Sequence, residues 1–337
     1  MRKLKIGAIG CGYWGPNLIR NFVEIPDADM VAVADLDENR LSFIHSRFPQ
    51  LKLTRDYHDL FSMGLDGIIV ATPPRTHFRI AKECLENNVH VMVEKPMTLD
   101  IQTALQLIEL AEQKDLTLMV GHTFEYNSAV LALKEIIQRG ELGKIYYIDA
   151  ARLNLGLFNR NLNVLWDLAP HDISILLFLL GKEPISVSAN GMKCAMDTVF
   201  DNVYVNLIFP DNILAHVHVS WIDPCKVRRV TVVGSQKMVV YNDIDSNEKI
   251  KIYDKGVEVP AYTSGLEEFH CNYRYGDLLI PNVRFEEPLR KECQHFLDCI
   301  TDHKTPVSSG YDGLRVVKVL EAAQRALENG NGMVMIQ

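Results

Sequence analysis

Residues 4–15 read LKIGAIGCGYWG, and a second apolar run, Met30 to Ala34, ends on Asp35. The strand-like run Leu4 to Ile9 passes straight into Gly10-Cys11-Gly12-Tyr13-Trp14-Gly15, and Asp35 follows the third glycine by twenty residues. A G-x-G-x-x-G alone is a weak match. After a strand, before a helix and with an acid at this distance, it predicts a dinucleotide site. Gly10 permits the tight turn, Gly12 lets main chain approach a pyrophosphate, and Gly15 lets the first helix pack closely on the sheet. The diphosphate is expected at the amino end of a helix beginning near Tyr13, where Tyr13 and Trp14 lie among unpaired N–H groups. Asp35 is expected to bind the adenosine ribose. Its charge repels a 2′-phosphate and favours NAD over NADP, whereas Arg40, one turn into the next helix, is placed to bend toward such a phosphate.

The 337 residues are too many for one ordinary core and predict two domains. Nearly half, 47%, are hydrophobic, and Asp plus Glu exceed Lys plus Arg by 43 to 35, so no global charge recruits nucleic acid or an anionic membrane. A small-molecule partner is expected instead. Seven scattered cysteines without any C-x-x-C fit reduced thiols in a cytoplasm, and none reads as a metal ligand. The folded pattern begins by Leu4, and the longest apolar stretch, Ile173 to Leu180, is too short to span a bilayer. A cytoplasmic protein is expected, with no nucleic acid or membrane partner.

Up to about Val120, β-branched runs alternate with helical patterns, the signature of a parallel sheet wrapped by helices. Strands are predicted at Leu4 to Ile9, Met30 to Ala34, Gly67 to Ala71, His90 to Val93 and Leu116 to Val120, with helices at 38–48, 78–87 and 99–114. Beyond a helix at 130–138, long alternating strands take over. Val203 to Phe209 and Ile213 to Trp221 are the clearest, joined by Pro210-Asp211-Asn212 as a hairpin turn. The fold class predicted is α/β: an N-terminal Rossmann doubly wound sheet, residues 1–121, then an α+β domain with a large, mostly antiparallel open-faced sheet, residues 122–337. Helices starting near Trp166, Pro288 and Tyr311 are expected to cover one sheet face and another subunit the other.

Two further segments carry chemistry. The strand at His90 runs into Glu94-Lys95-Pro96 at the carboxyl edge of the parallel sheet, where open α/β domains bind ligands. An ammonium near a positively charged nicotinamide is pushed toward its neutral form, which would let Lys95 handle a substrate proton; alternatively Lys95 pairs with Glu94 at the surface. In Trp166-Asp167-Leu168-Ala169-Pro170-His171-Asp172, Pro170 suits a helix's first position and so predicts His171 in the first turn. There the dipole keeps the imidazole neutral, as a general base needs, and Asp167 shares its face. The alternative makes Asp167 a cap and His171 a helix residue. Between Ala150 and Trp166 stand Arg152, Arg160 and asparagines 154, 159, 161 and 163, with no acid. Guanidinium forks suit phosphate and amides suit sugar hydroxyls, although a solvated loop looks similar. His216 and His218 read as exposed sheet residues, without a third ligand for a metal.

GCGYWG, then EKP at 94–96, then D-x-x-x-H at 167–171 in a strand-rich second half resembles the Gfo/Idh/MocA oxidoreductase family over nearly the whole chain. The resemblance implies a second domain that oligomerises through its sheet, as a homodimer or homotetramer, and places Lys95, Asp167 and His171 around the nicotinamide as catalytic residues. It also implies that Glu94, Thr72, Pro73 and His77 lie along the cofactor. Ala169-Pro170 and Ser174 depart from the common pattern, which has glycine between the Asp and His and a further Asp after the His. RLNLG at 152–156, NVLWDLAPHDIS at 163–174 and GHTFEYN at 121–127 are most similar to nucleotide-sugar 3-dehydrogenases, especially those acting on UDP-N-acetylglucosamine. That likeness implies substrate contacts from Glu125, Tyr126, Asn127, Arg152, Asn154, Arg160, Asn163 and Trp166, besides Lys95, Asp167 and His171. The expectation is NAD-dependent oxidation of a ring alcohol to a ketone. The rivals are an inositol or free-sugar dehydrogenase and a non-catalytic sensor of nicotinamide cofactor.

Overall fold

The computed structural model describes residues 2–158, 162–258, 271–330 and 332–336. They divide into two compact units, Met1–Tyr126 with Glu286–Glu321 and Asn127–Phe285 with Ala322–Gln337.

The first unit begins β1 (Leu4–Ile9), α1 (Gly15–Glu24), β2 (Ala28–Ala34), α2 (Glu38–Arg47), β3 (Lys52–Thr54) and β4 (Gly67–Val70). It continues α3 (His77–Glu86), β5 (His90–Glu94), α4 (Ile101–Gln113) and β6 (Leu118–Gly121). The strands pair in parallel in the order β3-β2-β1-β4-β5-β6. This is the doubly wound order, with its switch point between β1 and β4. Strands enclosed by helices on both faces bury consecutive residues, as Gly67 through Val70 do throughout β4. Side-chain caps start two helices: Asp37 accepts the Asn39 N–H, and Asp100 accepts the Thr103 N–H. The three-residue β3 escaped the sequence pattern because it is short and only half-buried.

The second unit contains α5 (Ser128–Gln138), β7 (Ile145–Leu153), α6 (Val164–Leu180), β8 (Ser186–Met192), β9 (Asn202–Phe209) and β10 (Ile213–Ser220). β11 (Val227–Gly234), β12 (Met238–Asn242), β13 (Ile250–Glu258) and β14 (Asn272–Leu279) follow. The chain ends with α7 (Pro288–Asp302), α8 (Gly310–Glu328) and β15 (Val334–Met335). The second sheet runs β14-β13-β12-β11-β7-β10-β9-β8-β15, antiparallel except for the parallel pair β7 and β10. Asp211 and Asn212, at φ 63° and 56°, turn the β9–β10 hairpin. Alternation sorts the two faces: Val203, Val205, Ala215 and Val217 are fully buried on the side covered by α6, while Tyr204, Leu214, His216 and His218 occupy the other. There Tyr204 stacks on His218 at 4.0 Å.

Three expectations are corrected. First, α1 begins at Gly15 with Trp14 at the N-cap, because Pro16 belongs in a helix's first turn and fixes the start after Tyr13. Second, Pro170 does not open a helix; it lies inside α6, which Asn163 starts seven residues earlier by accepting the Trp166 N–H at 3.2 Å. The proline forgoes one hydrogen bond, and the dipole argument for a first-turn His171 falls with it. Third, α7 does not cover the large sheet. Its Leu289, Cys293, Phe296 and Leu297 join Ile6, Leu18 and Phe22 in the first unit's core, with Phe296 edge-on to Phe22 at 6.4 Å. The expected boundary between residues 121 and 122 thus assigns to one side a segment that packs on the other.

Candidate active site

The glycine-rich turn lies at the carboxyl edge of the first sheet. Gly10 has φ +95°, and a Cβ there would stand 2.6 Å from the Ala71 carbonyl oxygen; at Gly15 a Cβ would stand 2.4 Å from the Gly10 carbonyl oxygen. No substitution fits either position. Trp14 makes no side-chain cap at the N-terminus of α1, where Pro16 has no N–H and the Asn17 N–H donates to the Trp14 carbonyl at 3.0 Å, so the terminus stays open to an anion on its positive end. Tyr13 is 88% exposed beside the turn, at the rim of a cavity of about 450 Å³ between α1 and α2.

Asp35 accepts the Cys11 N–H at 2.7 Å and the Asp37 N–H at 2.9 Å, which fixes its carboxylate just past β2 while leaving lone pairs for a ribose diol. Arg40 is oriented by carboxylates, with Nη1 3.8 Å from Asp35 and Nε 3.5 Å from Asp37. A tight turn, a bare helix terminus and a fixed carboxylate after the second strand together fit NAD.

His77 is fully buried, unlike a residue lining a cofactor surface. Nδ1 lies 2.8 Å from the Pro96 carbonyl and Nε2 2.7 Å from that of Thr72, so the ring staples the Thr72-Pro73 loop to the segment after β5. Burial lowers its pKa against the pull of both carbonyls. Thr72 also accepts the Thr76 hydroxyl at 2.8 Å.

β5 delivers Glu94 and Lys95 to the same edge, and the Lys95–Pro96 peptide is cis. Glu94 Oε2 accepts the Lys95 N–H at 3.2 Å, and the Trp14 side chain also hydrogen-bonds this carboxylate. Although Glu94 keeps part of its surface open, its Oε1 is shielded from solvent. Burial pushes its pKa up to about 7 against the pull of Lys95.

Glu292 and His122, both buried, were not anticipated. Glu292 accepts the Thr123 hydroxyl at 2.7 Å, and burial, reinforced by Glu94, holds its pKa well above the usual carboxylate range. Burial lowers His122 to about 4, and neither ring nitrogen has a hydrogen-bond partner among the described residues. One signal was present in the sequence: His122 follows β6 at the same edge where Lys95 follows β5. Tyr126 and Glu125 are buried in this unit, and the Tyr126 hydroxyl is taken up by Ser308 at 2.9 Å.

In the second unit, α6 carries Asp167 and His171 four residues apart, hence on one face. Asp167 accepts the Trp221 indole N–H at 3.0 Å, and His171 is half-buried. Asn163, besides capping α6, donates to Gln324 Oε1 at 2.8 Å, where the Trp166 indole also donates at 3.2 Å. Asn127 caps α5 and donates to Asp243. Arg152 departs furthest from a ligand-facing role: it is nearly fully buried and grips Asp172 through Nε at 2.6 Å and Nη2 at 3.1 Å. The Ser174 hydroxyl donates to the His171 carbonyl. Asn154 lies past β7, with its carbonyl accepting the Asp223 N–H. Arg160 lies outside the described residues. Among those residues no group of three His, Cys, Asp or Glu is disposed to hold a metal, and no helix is long and apolar enough to cross a membrane.

Comparison with known proteins agrees with this architecture. The UDP-N-acetylglucosamine 3-dehydrogenase of Acidithiobacillus ferrooxidans is 25% identical, with 97% of this chain and 98% of that one aligned. Its solved structure superposes with a TM-score of 0.82, covering 98% of this chain and 100% of that chain at 21% identity. The myo-inositol 2-dehydrogenase of Thermotoga maritima is 24% identical over 96% of each chain. GenD2 from gentamicin A biosynthesis, solved in complex with NAD, superposes with a TM-score of 0.83 over 100% of this chain and 97% of its own at 22% identity. Residues 4–122 match the model of the oxidoreductase family with an NAD-binding Rossmann fold, and residues 130–240 match the C-terminal domain model of the same family. The cofactor-binding turn and the nine-stranded sheet are thus parts of one inherited plan, and the chain belongs to the Gfo/Idh/MocA family of NAD-binding oxidoreductases.

Proposed function

We propose that the protein oxidises a secondary alcohol of a sugar ring to a ketone, at C3 of a nucleotide sugar such as UDP-N-acetylglucosamine. What supports this reading is that the chain carries, besides the NAD turn, two candidate proton-handling groups on regular elements: Lys95 directly after β5 in the first unit, and His171 with Asp167 on α6 in the second. Bound NAD supplies the two-electron acceptor at nicotinamide C4. His171 takes the hydroxyl proton, Asp167 settles the orientation of that imidazole, and Lys95 polarises the reacting oxygen. Because α6 starts at Asn163, a helix N-terminus no longer accounts for a neutral His171. The choice of nucleotide sugar is supported by likeness to the Acidithiobacillus enzyme along nearly the full chain.

One observation favours a second reading, oxidation of an inositol or a free sugar. Arg152 is engaged by Asp172, which removes one of the two arginines suited to a diphosphate and leaves that task to Arg160 and Asn154. Incubation with NAD and a panel of nucleotide sugars and inositols, followed by absorbance of reduced cofactor, separates them. UDP competing with substrate supports the nucleotide sugar; indifference to UDP together with inositol oxidation overturns it. The open face of the second sheet, with Tyr147, Tyr204 and Leu214 exposed, supports a homo-oligomer.

A further inference from the structure

We propose that Glu94 is the positioning residue of the cofactor edge: its carboxylate ties the glycine-rich turn, through the Trp14 side chain, to the main chain of Lys95, over a floor left free by Gly121. The inference rests on the reading of Lys95 as a proton-handling group.

The two ties come from opposite sides of the switch point. Trp14 is the N-cap of α1, where the diphosphate is expected, and the Lys95 N–H closes the end of β5. One carboxylate therefore links the phosphate end of the site to the main chain from which Lys95 projects. Gly121, paired with Glu94 across β5 and β6, makes this possible. A Cβ at position 121 would stand 3.0 Å from Glu94 Cδ and Oε1, tighter than ordinary van der Waals contact.

Behind the carboxylate, Glu292 on α7 is anchored by Thr123, with its Oε1 buried and without a partner among the described residues. It offers Glu94 no counter-charge. The charged or titratable groups that bear on this corner are Lys95 on the strand end, Glu292 and the buried thiol of Cys293 on α7, Glu125, and His122 with its neighbour Asp312. Lys95 favours the charged form of Glu94 and burial opposes it, so the tie is at full strength only while the carboxylate is ionised.

NAD affinity, measured by fluorescence titration across pH, tests this apart from turnover. Glu94→Ala is expected to weaken NAD binding about tenfold, and Glu94→Gln, which keeps one acceptor oxygen, about threefold or less. Wild-type affinity should fall as pH drops through about 7, and Glu94→Gln should be flat there. Gly121→Ala, which leaves every polar group in place, should weaken binding severalfold by displacing the carboxylate and keeps the idea testable if Glu94→Ala does not fold. NAD affinity within about twofold of wild type in both Glu94→Ala and Gly121→Ala overturns the proposal, as does an unchanged pH dependence in Glu94→Gln. Turnover retained by Lys95→Ala would instead remove Lys95 from the chemistry while leaving the Glu94 affinity results to stand on their own.

Discussion

Arg152 and Asp172 share two hydrogen bonds, 2.6 and 3.1 Å long, with side chains 6% and 2% exposed, and the carboxylate belongs to the residue following His171. The pair therefore fixes the helical turn that carries the imidazole. Breaking a buried ion pair from one side leaves an uncompensated charge. Arg152→Ala is expected to cost about 3–5 kcal/mol of stability, while replacing both partners by apolar residues of similar volume should cost far less. Thermal or urea unfolding of the two single variants and the double variant checks the inequality. A mild Arg152→Ala would mean that its guanidinium is oriented mainly by something other than Asp172.

His171→Asn tests the base directly. Turnover should fall by roughly a hundredfold or more while NAD affinity stays near wild type, because the proposed base is called on only when the hydroxyl proton leaves. Equal turnover in the two proteins would take His171 out of the mechanism.

At Asp35 the outcome is read as a ratio. Asp35→Ala should weaken NAD and improve NADP relative to it, since the change removes a ribose acceptor and frees Arg40 from its 3.8 Å contact. An unchanged NAD-to-NADP affinity ratio would argue against the ribose contact.

Glu292 yields a prediction about pH and stability. Its folded pKa is raised above the unfolded value, so wild type is relatively favoured at low pH, where the carboxyl is neutral in both states, and loses stability as pH climbs toward the folded value. Glu292→Gln has no charge to bury. Its melting temperature should rise relative to wild type as pH climbs above the ordinary glutamate pKa of about 4.3, a widening that differential scanning calorimetry would register. Parallel curves would mean that Glu292 ionises in the folded protein without cost.

The parallel sheet and its NAD turn were legible because their signals are local: a strand, three glycines and an acid fall within 32 residues, Leu4 to Asp35. The hairpin of β9 and β10 was legible for the same reason, its alternation and turn residues being contiguous. What escaped depends on distance or on competing local preferences. Pro170 reads as a helix start by its own preference, but the Asn163 cap and the apolar residues Val164 to Trp166 win. The engagement of Arg152 was hidden because Asp172 lies twenty residues away, and that of Thr123 with Glu292 because 169 residues separate them. The pattern of α7 shows that one face is buried without saying against which core.

That destination of α7 bears on how the chain is made. Phe296 fills space beneath β4 so closely that a Cβ on Gly67 would come within 2.9 Å of its ring. The nucleotide-binding unit consequently lacks part of its own interior until α7, residues 288–302, has been synthesised. Until then the apolar residues that Phe296 covers in the native structure, Phe22 among them, lack that cover.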